Sequence, residues 1–96
     1  MRVKAWKNST GFYGIRISKK DREKYFREGM ESVVVVLPNG TRVRADLSPI
    51  FWTTCPELRK AEFGDVLKSR GQDDWPPGRP PALNLDPIGP GIFRLT

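Results

Sequence analysis

Apolar and polar residues alternate along most of the chain, in short runs that end at glycine, proline or asparagine. Side chains of a strand point to opposite faces with period two, so such runs predict half-buried β-strands. The runs lie at residues 3–6, 12–18, 32–37, 41–47, 82–86 and 92–95. The apolar run from Val33 to Leu37 is unbroken and predicts burial on both faces of its strand. Pro38-Asn39-Gly40 follows this run and predicts a hairpin, because Asn-Gly adopts positive φ readily.

Two segments carry helix signals. Ser18 precedes a charged segment and Asp21 follows three residues later, which is typical of a helix N-terminus. We therefore predict a helix over residues 19–28. A second helix is predicted over residues 57–69, beginning after Pro56, with Leu58 in its broad apolar stripe.

A short aromatic segment separates the fourth strand from the second helix. Ser48-Pro49 is typical of a helix start, and Ile50-Phe51-Trp52 forms one apolar turn after it. Aromatic side chains bury large areas, so we interpret these three residues as core. Cys55 follows them, and we expect it to be buried because cysteine is among the most buried residue types.

Five or six short strands with two inserted helices predict an α+β domain or a small open barrel. The 96 residues are expected to form a single domain, 1–96, with enough apolar residues (38%) for one modest core. One cysteine forms no internal disulfide, and no apolar stretch approaches the roughly 20 residues of a membrane span. We expect a cytoplasmic protein.

The positive charge is concentrated in the first third of the chain. Residues 1–27 contain nine Lys or Arg and two acids, whereas residues 28–96 contain eight Lys or Arg and nine acids. The net charge of +6 therefore originates near the amino end. Such asymmetry favours an anionic partner, although a basic surface is also compatible with a protein that is merely soluble.

Few residues offer catalytic chemistry. The chain contains no histidine, which excludes Ser-His-Asp and Cys-His arrangements, and it has no glycine-rich phosphate loop. Asp73-Asp74 is a carboxylate pair in a polar loop, where solvation is more common than Mg²⁺ binding. We therefore expect no enzymatic activity, no metal and no cofactor.

The residue types needed for DNA recognition lie around the second strand. Cations neutralise phosphates, and Arg and Asn form bidentate contacts with guanine and adenine. The candidates in this region are Lys7, Asn8, Ser9, Thr10, Arg16, Ser18, Lys19, Lys20 and Arg22. Part of this charge is equally compatible with a solvated helix face.

Two further groups extend the candidate set. Arg42 and Arg44 share the outer face of their strand, where they either track phosphates or protect a sheet edge from unwanted pairing. Trp75 and Arg79 lie in a proline-rich loop and form a candidate second arm. A tryptophan in this position either stacks on a base or plugs the core, and we favour the plug.

The layout resembles a known family, the DNA-binding pseudobarrels of plant transcription factors and of the recognition domains in EcoRII-like and BfiI-like restriction endonucleases. The segments that carry the resemblance are Trp6-Lys7-Asn8-Ser9, Tyr13-Gly14-Ile15-Arg16-Ile17, Ser48-Pro49-Ile50-Phe51-Trp52 and Trp75-Pro76-Pro77-Gly78. The resemblance implies a small open β-barrel (pseudobarrel) of about five to seven strands with two helices. It also implies two arms that grip the major groove, which correspond here to residues 7–22 and 75–79.

We therefore expect a non-catalytic, sequence-specific double-stranded DNA-binding domain. It is expected to serve restriction or other DNA processing, either alone or with a nuclease encoded separately. Two alternatives are an RNA-binding protein that stacks bases on Phe12 and a protein-interaction module with an acidic partner. Competition between duplex DNA and single-stranded RNA separates the two nucleic-acid functions. A titration with random DNA at low salt identifies the protein-interaction module, which would bind it little.

Overall fold

Seven strands and three helices alternate along residues 1–54 and 56–96, which are the residues that the computed structural model describes. The strands are β1 (Arg2–Lys7), β2 (Tyr13–Arg16), β3 (Ser32–Val36), β4 (Arg42–Asp46), β5 (Glu57–Arg59), β6 (Ala82–Gly89) and β7 (Ile92–Leu95). The helices are α1 (Lys19–Tyr25), α2 (Pro49–Thr53) and α3 (Ala61–Ser69).

The strands form one sheet in the order β4-β3-β7-β6-β1-β2-β5. Neighbours are antiparallel except β3 and β7, which are parallel. The sheet curls until its two end strands, β4 and β5, come into contact, so the barrel is almost closed. This architecture confirms the predicted fold class, a small α+β open barrel of the pseudobarrel type.

The core fills the barrel interior and follows the predicted alternation. Every strand contributes inward apolar side chains, among them Val3, Ile15, Val35, Ala45, Leu58, Leu85 and Phe93, all at most 2% exposed. The hairpin between β3 and β4 is confirmed, with Gly40 at φ +87°. Val34 is only half-buried, so the apolar run of β3 is not fully enclosed on both faces.

Helices close the two ends of the barrel. Helix α3 packs against β2, where Gly64 leaves room for the Tyr13 ring: a Cβ at Gly64 would lie 2.6 Å from Tyr13 Cδ2. At the opposite end, Phe26 stacks on Phe93 with ring centroids 4.9 Å apart and contacts Phe51 at 5.1 Å. This aromatic cluster explains why α1 ends at Tyr25 and not at residue 28: Phe26 turns into an extended conformation and enters the core.

The predicted helix over residues 57–69 is wrong in its first turn. Glu57–Arg59 form β5, and the helix begins only at Ala61. Pairing of Leu58 with Ile15 buries Leu58 completely, and this long-range pairing overrides the helical signal of the flanking residues. The helical turn predicted after Ser48-Pro49 is confirmed as the short helix α2, which brings the number of helices to three in the described residues.

The aromatic segment is partly corrected. Phe51 is buried and Trp52 packs against the core as expected, but Ile50 is 53% exposed, so its interpretation as a core residue is wrong. A helix of five residues has room to turn only one side inward. The expectation for Cys55 lies outside the described residues. No helix in the described part of the chain has the length and apolarity needed to cross a membrane.

Candidate nucleic-acid interface

Basic side chains gather on the outer surface of three neighbouring strands, β1, β2 and β5. Buried Val3 and Ala5 alternate along β1 with side chains that point away from the core. The same alternation in β2 and β5 places Ile15 and Leu58 inside. We call the outward residues of these strands the basic face; its side chains are Arg2, Lys4, Trp6, Arg16, Glu57 and Arg59.

A carboxylate organises the centre of the basic face. Arg16 donates from Nη2 and Nε to Glu57 Oε1, at 2.6 and 3.1 Å, and Arg59 Nη2 donates to Glu57 Oε2 at 3.2 Å. The Glu57 side chain is 2% exposed, whereas those of Arg16 and Arg59 are 54% and 50% exposed. A buried carboxylate is costly without partners, and here both of its oxygens accept charge-assisted hydrogen bonds. Glu57 therefore holds two guanidinium groups at fixed positions on the surface.

A glycine allows the second row of the basic face to pack closely. Gly14 of β2 lies between Trp6 of β1 and Arg59 of β5 in the strand register. Arg59 Cζ lies 4.5 Å from the centroid of the Trp6 ring, within the range of a cation–π contact. A Cβ at Gly14 would lie 2.6 Å from the Leu58 carbonyl oxygen and 3.2 Å from the Trp6 ring. The stack of Trp6 and Arg59 therefore depends on glycine at this position.

The basic face remains positive after this internal pairing. Its four cations face one carboxylate, and Glu57 is the only acid at the outward positions of β1, β2 and β5 within the residues described. Arg16, a predicted DNA-contacting residue, has a fixed carboxylate partner. Glu57 offsets part of the positive field of Arg16 and also holds the orientation of its guanidinium group.

The loop between β1 and β2 is built by Asn8. Its Oδ1 accepts hydrogen bonds from the backbone N–H groups of Thr10 and Phe12, at 3.1 and 2.9 Å, and from Thr10 Oγ1 at 2.7 Å. Ser9 and Thr10 are exposed at the tip of this loop. The side-chain oxygen of Asn8 is therefore engaged in hydrogen bonds within the turn, and the first role of Asn8 is structural.

Lys7 ties the proline-rich loop to the end of β1. Lys7 Nζ donates to Asp74 Oδ1 at 2.8 Å and lies 4.6 Å from the centroid of the Trp75 ring. Tyr13 Oη donates to the Asp73 carbonyl at 2.7 Å. The Asp74 hydrogen bond raises the pKa of Lys7, and the same bond lowers the pKa of Asp74. The two predicted arms thus lie against each other.

The proline-rich loop otherwise follows expectation. Trp75 is half-buried: part of its ring packs against the core, with the ring centroid 6.5 Å from that of Tyr13 in an edge-on arrangement, and the rest of the ring stays accessible. Arg79 is exposed farther along the same loop.

Other predicted cations lie at the opposite end of β2. Ser18 caps α1 by accepting the backbone N–H of Asp21 at 3.1 Å, and Lys19 and Lys20 are exposed in the first turn. The extended segment from residue 12 to residue 18 spans about 20 Å, at about 3.3 Å per residue. The predicted cluster therefore divides into the loop at one barrel end, the sheet surface, and α1 at the other end.

The remaining candidates are either bonded within the fold or lie on a strand outside the basic face. Arg22 is half-buried, and its Nη1 donates to the Phe51 carbonyl at 3.1 Å, which joins α1 to α2. Arg42 and Arg44 are exposed on the outer side of β4, and Arg44 Nε donates to Ser32 Oγ at 3.0 Å. They lie at the far end of the sheet order from β1 and β2, beside the seam with β5.

Five members of the basic face were absent from the predicted site: Arg2, Lys4, Trp6, Glu57 and Arg59. The first three alternate with Val3 and Ala5, so the period-two pattern of β1 already indicated that they share one face. No comparable signal existed for Arg59, because its segment was predicted as a helix.

Comparisons of this chain with protein-family models, with curated proteins and with solved structures gave no match. The resemblance to the DNA-binding pseudobarrels therefore stays a prediction that rests on the sequence pattern, and the barrel itself stands on the architecture described above.

Proposed function

We propose that this protein is a non-catalytic double-stranded DNA-binding domain that holds the DNA backbone on its basic face. One observation carries the proposal: buried Glu57 holds the guanidinium groups of Arg16 and Arg59 side by side at the surface of a rigid sheet. Arginine is well suited to planar recognition of phosphate and of guanine edges. Side chains that are already ordered lose less entropy when they bind.

The neighbouring residues support the same function. Lys4 lies directly across from Arg16 in the register of β1 and β2, and Arg2 continues the row along β1. Adjacent strands are about 4.8 Å apart, so these cations form one continuous electropositive surface. The exposed Ser9, Thr10 and Arg79 provide further polar groups in the loops at one end of the barrel.

The proposal includes the setting expected from the sequence. We propose that the domain acts in the cytoplasm as a recognition module for restriction or other DNA processing, alone or beside a nuclease on a separate chain. A selection of bound sequences from a random duplex pool tests this specificity, and a sharp consensus is the expected result.

Binding to labelled duplex DNA, followed by fluorescence anisotropy at several salt concentrations, tests the interface. We expect Arg59→Gln to weaken binding and to lower the slope of log K against log salt by about 0.9, the value for one lost phosphate contact. Arg94→Gln is the matched control, because Arg94 is exposed on β7, two strands away from β1 and outside the basic face.

Three results would reject the proposal or redirect it. Absence of binding to random duplex DNA at low salt rejects it in favour of a protein partner. Tighter binding to single-stranded RNA than to duplex DNA favours the RNA alternative. Equal losses of DNA affinity in Arg59→Gln and Arg94→Gln show that the basic face is not the interface.

A further inference from the structure

A shallow groove of about 390 Å³ lies beside the basic face, between β1 and the proline-rich loop. Its lining includes two tryptophans, two prolines and two cations: Trp6, Lys7, Arg16, Trp75, Pro77 and Pro80. This volume falls within the roughly 300–1,000 Å³ range of small-ligand sites. Arg16 belongs both to the groove and to the basic face, so the two features are continuous.

The aromatic walls of the groove are held in place from behind. The Arg59 guanidinium contacts the Trp6 ring above Gly14, where no side chain intervenes. Trp75 is supported by the edge of Tyr13 and by Lys7. Aromatic surfaces that are already ordered stack on a ligand at a small entropic cost.

The chemistry of the groove is that of base stacking beside a phosphate. Every nucleobase has a π-face that stacks on tryptophan, whereas Arg16 favours the negative charge of the attached phosphate. Lys7 is paired with Asp74, and Arg16 shares the carboxylate of Glu57 with Arg59, so these five groups leave one net positive charge beside the groove. That remaining positive charge fits a nucleotide better than it fits an uncharged proline-rich peptide.

A base inside a fully paired duplex exposes only its edges and offers no face to the groove. We propose that the groove accepts one unpaired base of DNA that is bound on the basic face, with the phosphate of that nucleotide at Arg16. This inference rests on the proposed function and narrows it: the preferred ligand is a duplex that contains an unpaired or unstacked nucleotide.

Two labelled duplexes with identical flanking sequences test this inference, one fully paired and one with a single bulged adenine. We expect wild-type protein to bind the bulged duplex about tenfold more tightly, which is the size of one base–aromatic stack. Trp75→Leu is expected to remove this preference while the affinity for the paired duplex stays nearly unchanged. Trp52→Leu is the matched control, since Trp52 packs on Phe51 and does not line the groove.

A second measurement needs no variant. With 2-aminopurine as the bulged base, stacking on an indole is expected to quench its fluorescence when wild-type protein is added. Binding of both duplexes with equal affinity, together with unquenched 2-aminopurine, overturns the groove inference and leaves the basic face intact. Failure to bind either duplex overturns the proposed function, and the groove inference with it.

Discussion

Gly14 is the position at which one methyl group should damage both the fold and the interface. In the strand register Gly14 lies between Trp6 and Arg59, and its φ is not positive, so alanine is compatible with the backbone conformation itself. The obstacle is space: the new Cβ would lie 2.6 Å from the backbone oxygen of Leu58. Backbone atoms cannot rotate away, so β2 and β5 must separate by several tenths of an ångström.

The expected loss of stability follows from two opposing terms. Overpacking of this kind costs about 1–3 kcal/mol. Replacing glycine by alanine in a strand offsets about 0.5–1 kcal/mol of this cost, because alanine loses less conformational entropy than glycine when the chain folds. We therefore expect Gly14→Ala to lower the free energy of unfolding by about 1 kcal/mol, within limits of about 0–2.5 kcal/mol set by these two terms. For a domain of this size each kcal/mol lowers the melting temperature by roughly 4–8 °C.

Urea denaturation followed by circular dichroism measures this loss, with Gly89→Ala as the control. Gly89 is also in a strand without positive φ, but its Cβ would meet only the Ile92 side chain, at an ordinary 3.7 Å from Cδ1 and 3.9 Å from Cβ. We expect that control to be neutral or slightly stabilising. A Gly14→Ala protein as stable as Gly89→Ala would refute the argument from close strand packing. Because Gly14→Ala displaces Arg59, we also expect this variant to bind DNA more weakly than wild-type protein.

Two further predictions concern the helix cap and the loop ion pair. Ser18→Ala should lower the free energy of unfolding by about 1 kcal/mol, because the only side-chain cap found on α1 is lost; chemical denaturation measures it, and an unchanged midpoint contradicts it. The pKa of Lys7 is raised above 10.5 and that of Asp74 is lowered below 3.8 by their mutual hydrogen bond. The stabilisation from this pair is thus constant from about pH 5 to about pH 9, and it is lost as the pH falls through the Asp74 pKa or rises through the Lys7 pKa. Melting temperatures of wild type and Lys7→Gln should differ by a constant amount in that range, and a difference that varies with pH there contradicts the assignment.

The structure groups the cations of the predicted site differently from what the sequence indicated. The amino-terminal excess of cations did reach the surface, yet Lys7 and Arg16 each took a carboxylate partner that is distant in the sequence, Asp74 and Glu57. Local charge patterns show which residues are ionised and give no information about long-range partners. The cations of α1 were separated from those of the loop by the length of β2.

The sequence by itself determined most strands through their apolar alternation, the β3–β4 hairpin through Asn39-Gly40, and the cap of α1 through Ser18. These features depend on neighbours within a few residues, where side-chain direction and backbone preference act locally. Only the tertiary structure decided that residues 57–59 form a strand, since a three-residue Glu-Leu-Arg pattern suits a helix or a strand until β2 offers hydrogen bonds and a place for Leu58. The same pairing placed Glu57 between Arg16 and Arg59. Strand order brings together residues more than 40 positions apart, so no local sequence pattern could predict this arrangement.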